Sequence, residues 1–344
     1  MRQVVLDTET TGLAQDTSTY TFLIGIGMYE DVQGRATGKT ADAAFVVRQF
    51  FMRTPAEEPG QLHLVEDLLG TASGLITFNG RGFDLPLLQS RFTLARRPFR
   101  WLDLPHLDLL PAARRIWRGA VDSCRLCSLE QSVLGVRRTE EDVPGYLIPD
   151  IYRQYYLTGV VSDLLVRVFY HNLMDIVSMP LLAAHIAQFY RPEELAERLV
   201  ALSGTERLNL ARAYVELGWD TAGETVYRAA LAANGSATSR IQAYRELSFL
   251  LKRLGRRAEA AALWEEWIGA DPDTELTPYI ELAKHHEWHT ADLIAARGWA
   301  AWALRIAESR PDHAAEVAGL RHRLARLEQK LSDAGRRDGG SQIT

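Results

Sequence analysis

Cysteine is nearly absent from this 344-residue chain, with only Cys124 and Cys127 present. A disulfide scaffold is therefore excluded, and a reducing, cytoplasmic setting is the expectation. Lysine is almost as scarce, supplying four of the 39 basic residues. In an Ala-rich chain that bias reflects genome composition rather than a partner. Positive charge is not in surplus either: the net charge is −5 and the pI near 6.0. Binding of nucleic acid by bulk charge is excluded, so any such function must rest on a local site. No run of 18 apolar residues exists, and neither a membrane span nor a membrane partner is expected. Val4-Val5-Leu6 is too short for a signal peptide and no small-residue cleavage site follows it. What is present is 47% hydrophobic and 24% charged residues, enough for one large soluble domain or two ordinary ones.

Three apparent motifs fail on spacing. Gly34 and Gly38, before Lys39 and Thr40, stand one residue too close for a phosphate loop and read as a polar hairpin. Cys124 and Cys127 have zinc-knuckle spacing without a second pair of ligands, and read as two buried thiols. His285, His286 and His289 contain an i,i+4 pair, but not the spacing of a zinc-protease helix, and read as packing residues.

Strands and helices alternate over residues 1–190. Apolar runs predict strands at Arg2–Asp7, Tyr20–Tyr29, Ala43–Met52, Gly74–Asn79 and Arg100–Asp108, with helices at Pro59–Thr71 and Asp84–Ala95. From Leu110 to Tyr190 the pattern is helical, broken by a loop at Arg137–Pro149. The expectation is an α/β domain, a mixed central sheet flanked by helices. Strands vanish after about residue 191. Leu217-Gly218, Leu254-Gly255 and His289-Thr290 mark three turns 37 and then 35 residues apart, flanked by Ala- and aromatic-rich helices. That period resembles tetratricopeptide repeats. An all-α repeat domain over 191–331, with most of its six tryptophans in the core, and a disordered tail at 332–344 are expected.

The sharpest chemistry begins at Asp7. Asp7 and Glu9 are two apart, hence on one face of a strand, where paired carboxylates repel unless a cation offsets them. An acidic strand end bonded to a turn would look the same in isolation. Two further segments stand with it. Asn79-Gly80-Arg81-Gly82-Phe83-Asp84 places a carboxylate at a helix start, and His171 precedes Asp175 by one helical turn. In this order, Asp-x-Glu with Thr11-Gly12 following, Asn-x-x-x-Phe-Asp and a His-preceded Asp resemble the three motifs of the DEDD exonuclease superfamily, on a ribonuclease-H-like fold. The segments Cys124–Glu130, Leu134–Arg138 and Glu141–Gly145 make the resemblance closest to YprB-type nucleases of that fold.

The resemblance implies hydrolysis of phosphodiester bonds with two Mg²⁺ or Mn²⁺ ions about 4 Å apart. Asp7 would bridge both, Glu9 and Asp175 would hold the water-activating ion, and Asp84 the other. Oxygen donors without thiolates suit such hard cations. Thr8, Thr10 and Gly12, with Asn79 and Phe83, would contact the terminal nucleotide. The His-type families carry His five residues before the last Asp and the Tyr-type carry Tyr four before it. This chain reverses both, with Tyr170 at −5 and His171 at −4. Helix geometry puts −4 on the face of Asp175, so His171 is the candidate general base, imidazole being able to take a proton from water near neutral pH. The alternative is that His171 only orders the helix.

Arg81–Arg138 holds eleven arginines against five carboxylates. Arg96, Arg97 and Arg100, then Arg114, Arg115 and Arg118, form clusters that could track phosphates. Arg96, Arg97, Arg114 and Arg115 among them are the candidates for phosphate contacts, the alternative being a solvated helix face. The expected activity is a 3′–5′ exonuclease acting on nucleic acid, a single strand or 3′ end favoured, with a protein partner at the repeats. A structure-specific endonuclease and a catalytically silent binding scaffold are the alternatives.

Overall fold

The computed structural model describes residues 2–12, 17–31, 43–139, 142–191, 195–233, 235–272 and 275–340. Residues 34–40, expected to form a polar hairpin, lie outside them. The chain divides into two compact units, one up to Ala196 and one from Glu197.

The first unit is built on a five-stranded sheet in the order β3-β2-β1-β4-β5. Strands β1 (Gln3–Thr10), β2 (Thr21–Asp31) and β3 (Ala43–Phe51) form an antiparallel meander, and β4 (Gly74–Thr77) and β5 (His106–Asp108) add in parallel to β1. The sheet is mixed because its short connections are hairpins and its long ones carry helices. Helices α1 (Glu58–Leu69) and α2 (Asp84–Leu94) cover one face. There Val4, Leu6, Ile24, Ile26 and Met28 pack on Leu62, Val65, Leu88 and Phe92. After α3 (Leu109–Trp117) and the short α4 (Leu126–Leu129), helices α5 (Ile148–Thr158) and α6 (Asp163–Phe189) pack on Phe22, Leu23 and Met52.

Two strand expectations shift. Strand β1 runs to Thr10 rather than ending at Asp7, so both motif carboxylates sit on it. Of the strand expected at Arg100–Asp108 only the last three residues form. Trp101 turns inward instead, its indole N–H donating to Leu69 O at 3.1 Å and its ring packing against Phe92 and Phe99. Burying one large aromatic outweighs the strand propensity of a short apolar run.

Strands are absent from the described residues of the second unit. Helices α8 (Gly204–Glu216) to α13 (Leu293–Ser309), with α9 (Asp220–Ala232), α10 (Ala237–Arg253), α11 (Arg257–Ala270) and α12 (Thr277–His285) between, pack each on the next, after a short α7 (Leu195–Leu199). Left-handed residues Gly218, Gly255 and Ala291 make the three turns. Two expectations fail here. The final helix α14 (Ala314–Gly340) runs through the stretch expected to be disordered from 332, as far as 340, with helix-forming Ala334 and Arg336 flanking Gly335 and no proline to break it. Trp264 and Trp267 are buried, but Trp219, Trp288 and Trp302 are exposed. Arg305 lies 3.4 Å over Trp302, so a cation rather than the core covers that ring.

Candidate active site

Asp7, Glu9, Asp84 and Asp175 converge beside the C-terminal end of β1. The alternation of β1 turns Val5, Asp7 and Glu9 towards one face, and Thr8 towards the other. Asp7 pairs in register with Gly25 of β2, and Gly25 with Gln49 of β3. Over this row lies Asn172 of α6, fully buried. Its amide donates to Asp7 Oδ2 at 2.8 Å and accepts from Gln49 Nε2 at 3.0 Å. Only glycine permits the approach: a Cβ on residue 25 would stand 2.2 Å from Asn172 Oδ1. At residue 27, one step along the same face, a Cβ would meet Ile176 at 2.5 Å. Two alternate glycines thus make the trough in which α6 lies.

Asp84 starts α2 and is buried, accepting from the Thr8 hydroxyl at 2.5 Å. The turn before it is fixed by Asp108 at the end of β5. That carboxylate accepts from the backbone N–H of Asn79 (2.8 Å), of Arg81 (3.1 Å) and of Leu110 (3.2 Å). Asn79 takes a left-handed φ of 67° and presents its side chain outward. Phe83 is half-buried beside it. At the C-terminal end of β1 itself, the Thr10 hydroxyl donates to Gly12 O at 2.7 Å.

Asp175 is held by a cation the sequence did not assign to it. Arg138, 5% exposed, makes a two-pronged pair with fully buried Glu130 at 2.6 and 2.7 Å and also donates to Asp175. Its third neighbour is Asp142, at 3.4 Å. Asp142 in turn bonds His171 Nδ1 at 2.7 Å, while His171 Nε2 faces Asp175 Oδ2 at 3.7 Å. Tyr170 points elsewhere, its hydroxyl accepting from Thr139 N–H at 3.3 Å. The −4 histidine, not the −5 tyrosine, therefore faces the carboxylates.

Burial dominates the electrostatics. It pushes the Asp7 carboxyl well above its ordinary range, helped by the charges of Asp175, Glu9 and Asp84 and opposed by the Asn172 bond. Glu9 is raised in the same way by burial, Asp175 and Asp84, with Arg138 pulling back. Asp84 is pushed up to about 6 by burial, against the Thr8 bond. Asp175 is raised by burial although His171 and Arg138 oppose it. Four acids held so close resist ionising together, and a cation would relieve them. Among the described residues no three acidic, imidazole or thiol groups stand close enough to enclose an ion as placed. Three of the carboxylates are instead drawn to their own partners, Asp7 to Asn172, Asp84 to Thr8 and Asp175 to Arg138. The four carboxylates offer oxygen donors only, so in chemistry they fit a hard divalent ion.

A cleft of roughly 1240 Å³ opens from Asp175 and His171 along α3 and residues 118–127. Of the four arginines expected to contact phosphates, Arg114 lines it; Arg96, Arg97 and Arg115 do not. Arg97 pairs with Glu66 at 2.5 Å. Cys124 and Cys127 also line this cleft and are unpaired thiols, half-buried and exposed, where buried thiols were expected. The core positions of that segment are taken by Leu126 and Leu129. In the second unit His285, His286 and His289 gather with ring centroids 5.3 and 5.9 Å apart, and His286 bonds Thr290 at 3.1 Å. Sequence reasoning missed Asn172, Gln49, Gly25, Glu130, Asp142 and Asp108 as supports. The available signal was the Gly25–Gly27 alternation and the clustering of Glu130, Arg138 and Asp142 in the segments that carry the family resemblance.

Residues 4–187 match the family model described as RNase H superfamily. The uncharacterized protein YprB of Bacillus subtilis (strain 168) is 31% identical over 340 residues, 95% of this chain and 74% of its own. Among solved structures, a family B DNA polymerase from the archaeon Pyrobaculum calidifontis overlaps 62% of this chain and 29% of its own, with a TM-score of 0.39 at 14% identity. E. coli exonuclease I bound to single-stranded DNA overlaps 50% and 44%, with a TM-score of 0.31 at 16% identity. The chain spans less than half the length of either solved chain.

Proposed function

The chain belongs to the RNase H superfamily, and from that premise we propose that it is a DEDD-type, divalent-metal-dependent nuclease that removes nucleotides from 3′ ends. The observation that carries the proposal is the convergence of Asp7, Glu9, Asp84 and Asp175 from three distant segments into one buried, mutually repelling group. A scaffold without catalysis has no use for four such charges. These carboxylates would hold two Mg²⁺ or Mn²⁺ ions. When bound, such ions supply a water nucleophile at neutral pH and stabilise the leaving oxygen.

The chain's own residues do the rest. Asp142 accepts from His171 Nδ1 and so fixes the tautomer, leaving Nε2 as the proton acceptor on the side of Asp175. The 2.7 Å bond to Asp142 outweighs the 3.4 Å approach of Arg138 to the same nitrogen. Arg138 anchors Asp175 against Glu130, so the last acid keeps its place while unliganded. In this reading Thr8, Thr10 and Gly12, with Asn79 and Phe83, would contact the terminal nucleotide. The helical second unit, which we read as tetratricopeptide-like, would bind a protein partner, and the site of action would be the reducing cytoplasm.

A 5′-labelled single strand incubated with Mn²⁺ tests the reading. A ladder shortening from the 3′ end is expected. Discrete internal cuts would make the protein an endonuclease, and binding without product would make it a scaffold. His171→Ala should abolish the ladder while metal binding, followed by calorimetry, is retained. Full activity in that variant would remove His171 from catalysis.

A further inference from the structure

The carboxylate centre says nothing of where the rest of the substrate goes. Of the exposed residues around it, the cleft along α3 has the charge and the aromatic rim for one answer. Helix α3 is amphipathic: Leu109, Leu110, Ala113, Ile116 and Trp117 are buried, and Arg114 faces out. Arg118, one turn on, ends the helix about 6 Å further along it. Beyond it Ala120 N–H and Val121 N–H both return to Trp117 O, at 2.9 and 3.2 Å. That anchor holds the following segment, with Arg125, against the same opening. Arg114, Arg118 and Arg125 all line the cleft and all three are exposed. Arg114 and Arg118 stand near enough to Cys124 to pull its thiol down against the burial that raises it. The acids on the same walls are Asp122 and, at the inner end, Asp142 and Asp175, which Arg138 and His171 already engage. Tyr146, 78% exposed, stands at the rim.

We propose that this cleft is a track for single-stranded nucleic acid, in which Arg114, Arg118 and Arg125 follow successive phosphates and Tyr146 stacks on a base. It rests on the nuclease reading for its direction, with the strand's end at the carboxylates. Cations on one wall and a flat ring at the rim match the way single strands are held irrespective of sequence. A duplex offers its bases to no such ring.

Fluorescence anisotropy of a labelled, phosphorothioate-linked dT12 with the full chain in Ca²⁺, titrated with salt, tests the track. Each phosphate contact on a single strand contributes about 0.7 to the slope of log K against log salt. The Arg114→Gln/Arg118→Gln/Arg125→Gln triple variant should lower that slope by about 2, and Arg153→Gln, away from the cleft, should leave it alone. Tyr146→Ala should weaken binding with the slope unchanged. Should the triple variant fail to fold, Arg114→Gln and Arg125→Gln singly should each remove about 0.7. A wild-type slope and affinity in the arginine variants would overturn the track. So would full affinity in Tyr146→Ala, or duplex bound as tightly as dT12. Hydrolysis of the p-nitrophenyl ester of thymidine 5′-phosphate with Mn²⁺ reads the carboxylate centre alone. If wild type leaves that ester and every oligonucleotide intact yet shows the arginine-dependent slope, the nuclease reading fails and the track stands.

Discussion

Asn172 shows how one side chain ties the sheet to the chemistry. It spans Gly25, bonded on one side to the carboxylate of Asp7 and on the other to Gln49. Its position depends on a hydrogen at residue 25, not on any property of its own helix. Gly25→Ala forces the amide out of its place, breaking both bonds and costing about 1–3 kcal/mol of stability. Gly60 offers the contrast. It lies in α1 with nothing within 4 Å of where a Cβ would stand. Gly60→Ala should therefore stabilise by about 0.5–1 kcal/mol through helix propensity. Thermal melts of the two variants should move in opposite directions; a fall in both would show that the space beside Gly60 is not open. The motif acids were legible from spacing because strand alternation and helix periodicity are local. Asn172 was not, because its partner lies across two strands.

Between elements, the second unit is tied by charges at repeat spacing. Arg212 meets Glu246 at 2.6 Å, Arg245 meets Glu275 at 2.7 Å and Arg253 meets Asp220 at 2.6 Å, each pair 30 to 34 residues apart. Such exposed pairs contribute little singly and mainly fix which helix faces which. Glu287 differs. It is fully buried in its side chain and accepts from Arg323 and Lys330 at 2.8 and 2.7 Å and from Arg326, fastening the turn before α13 to α14. Burial alone would raise its pKa, but the bonds from Arg326 and Lys330 overcome that and hold it below the ordinary glutamate value. A depressed acid stabilises the fold above about pH 4.5, its unfolded value, and that contribution is lost as pH falls through the folded value. Glu287→Gln should thus lower the melting temperature at pH 7 and much less at pH 3. Equal losses at both would show that the carboxylate acts through shape rather than charge. The 35-residue period announced these helices, but the partners of Glu287 lie on a helix outside that period.

For the molecule as a whole, the cost of the acidic centre sets the conditions under which it is stable. Asp84 is lifted from about 3.8 to about 6, so the fold binds a proton there that the unfolded chain releases. That contribution is complete below about pH 4 and is lost as pH rises through 6. In chelator, the first unit should therefore lose stability from this source between pH 5 and 7.5. Mn²⁺ should restore more at pH 7.5 than at pH 5, about 2.7 kcal/mol at a hundredfold excess over its dissociation constant. Calorimetry at the two pH values, with and without Mn²⁺, checks the sign. No shift with metal at either pH would sink the two-ion reading.

Composition and period by themselves determined an α/β unit followed by a helical one, and spacing picked out four carboxylates and a histidine. These follow from local rules, since hydrophobic alternation and the helical turn are written over a few residues at a time. Tertiary structure alone decided what holds those groups. Arg138, one of the eleven arginines of the basic stretch 81–138, is engaged by Glu130 and Asp175, and Arg96, Arg97 and Arg115 lie away from the cleft. A side chain's charge can be read from one residue. Whether that charge is already paired depends on which distant segments the sheet brings beside it.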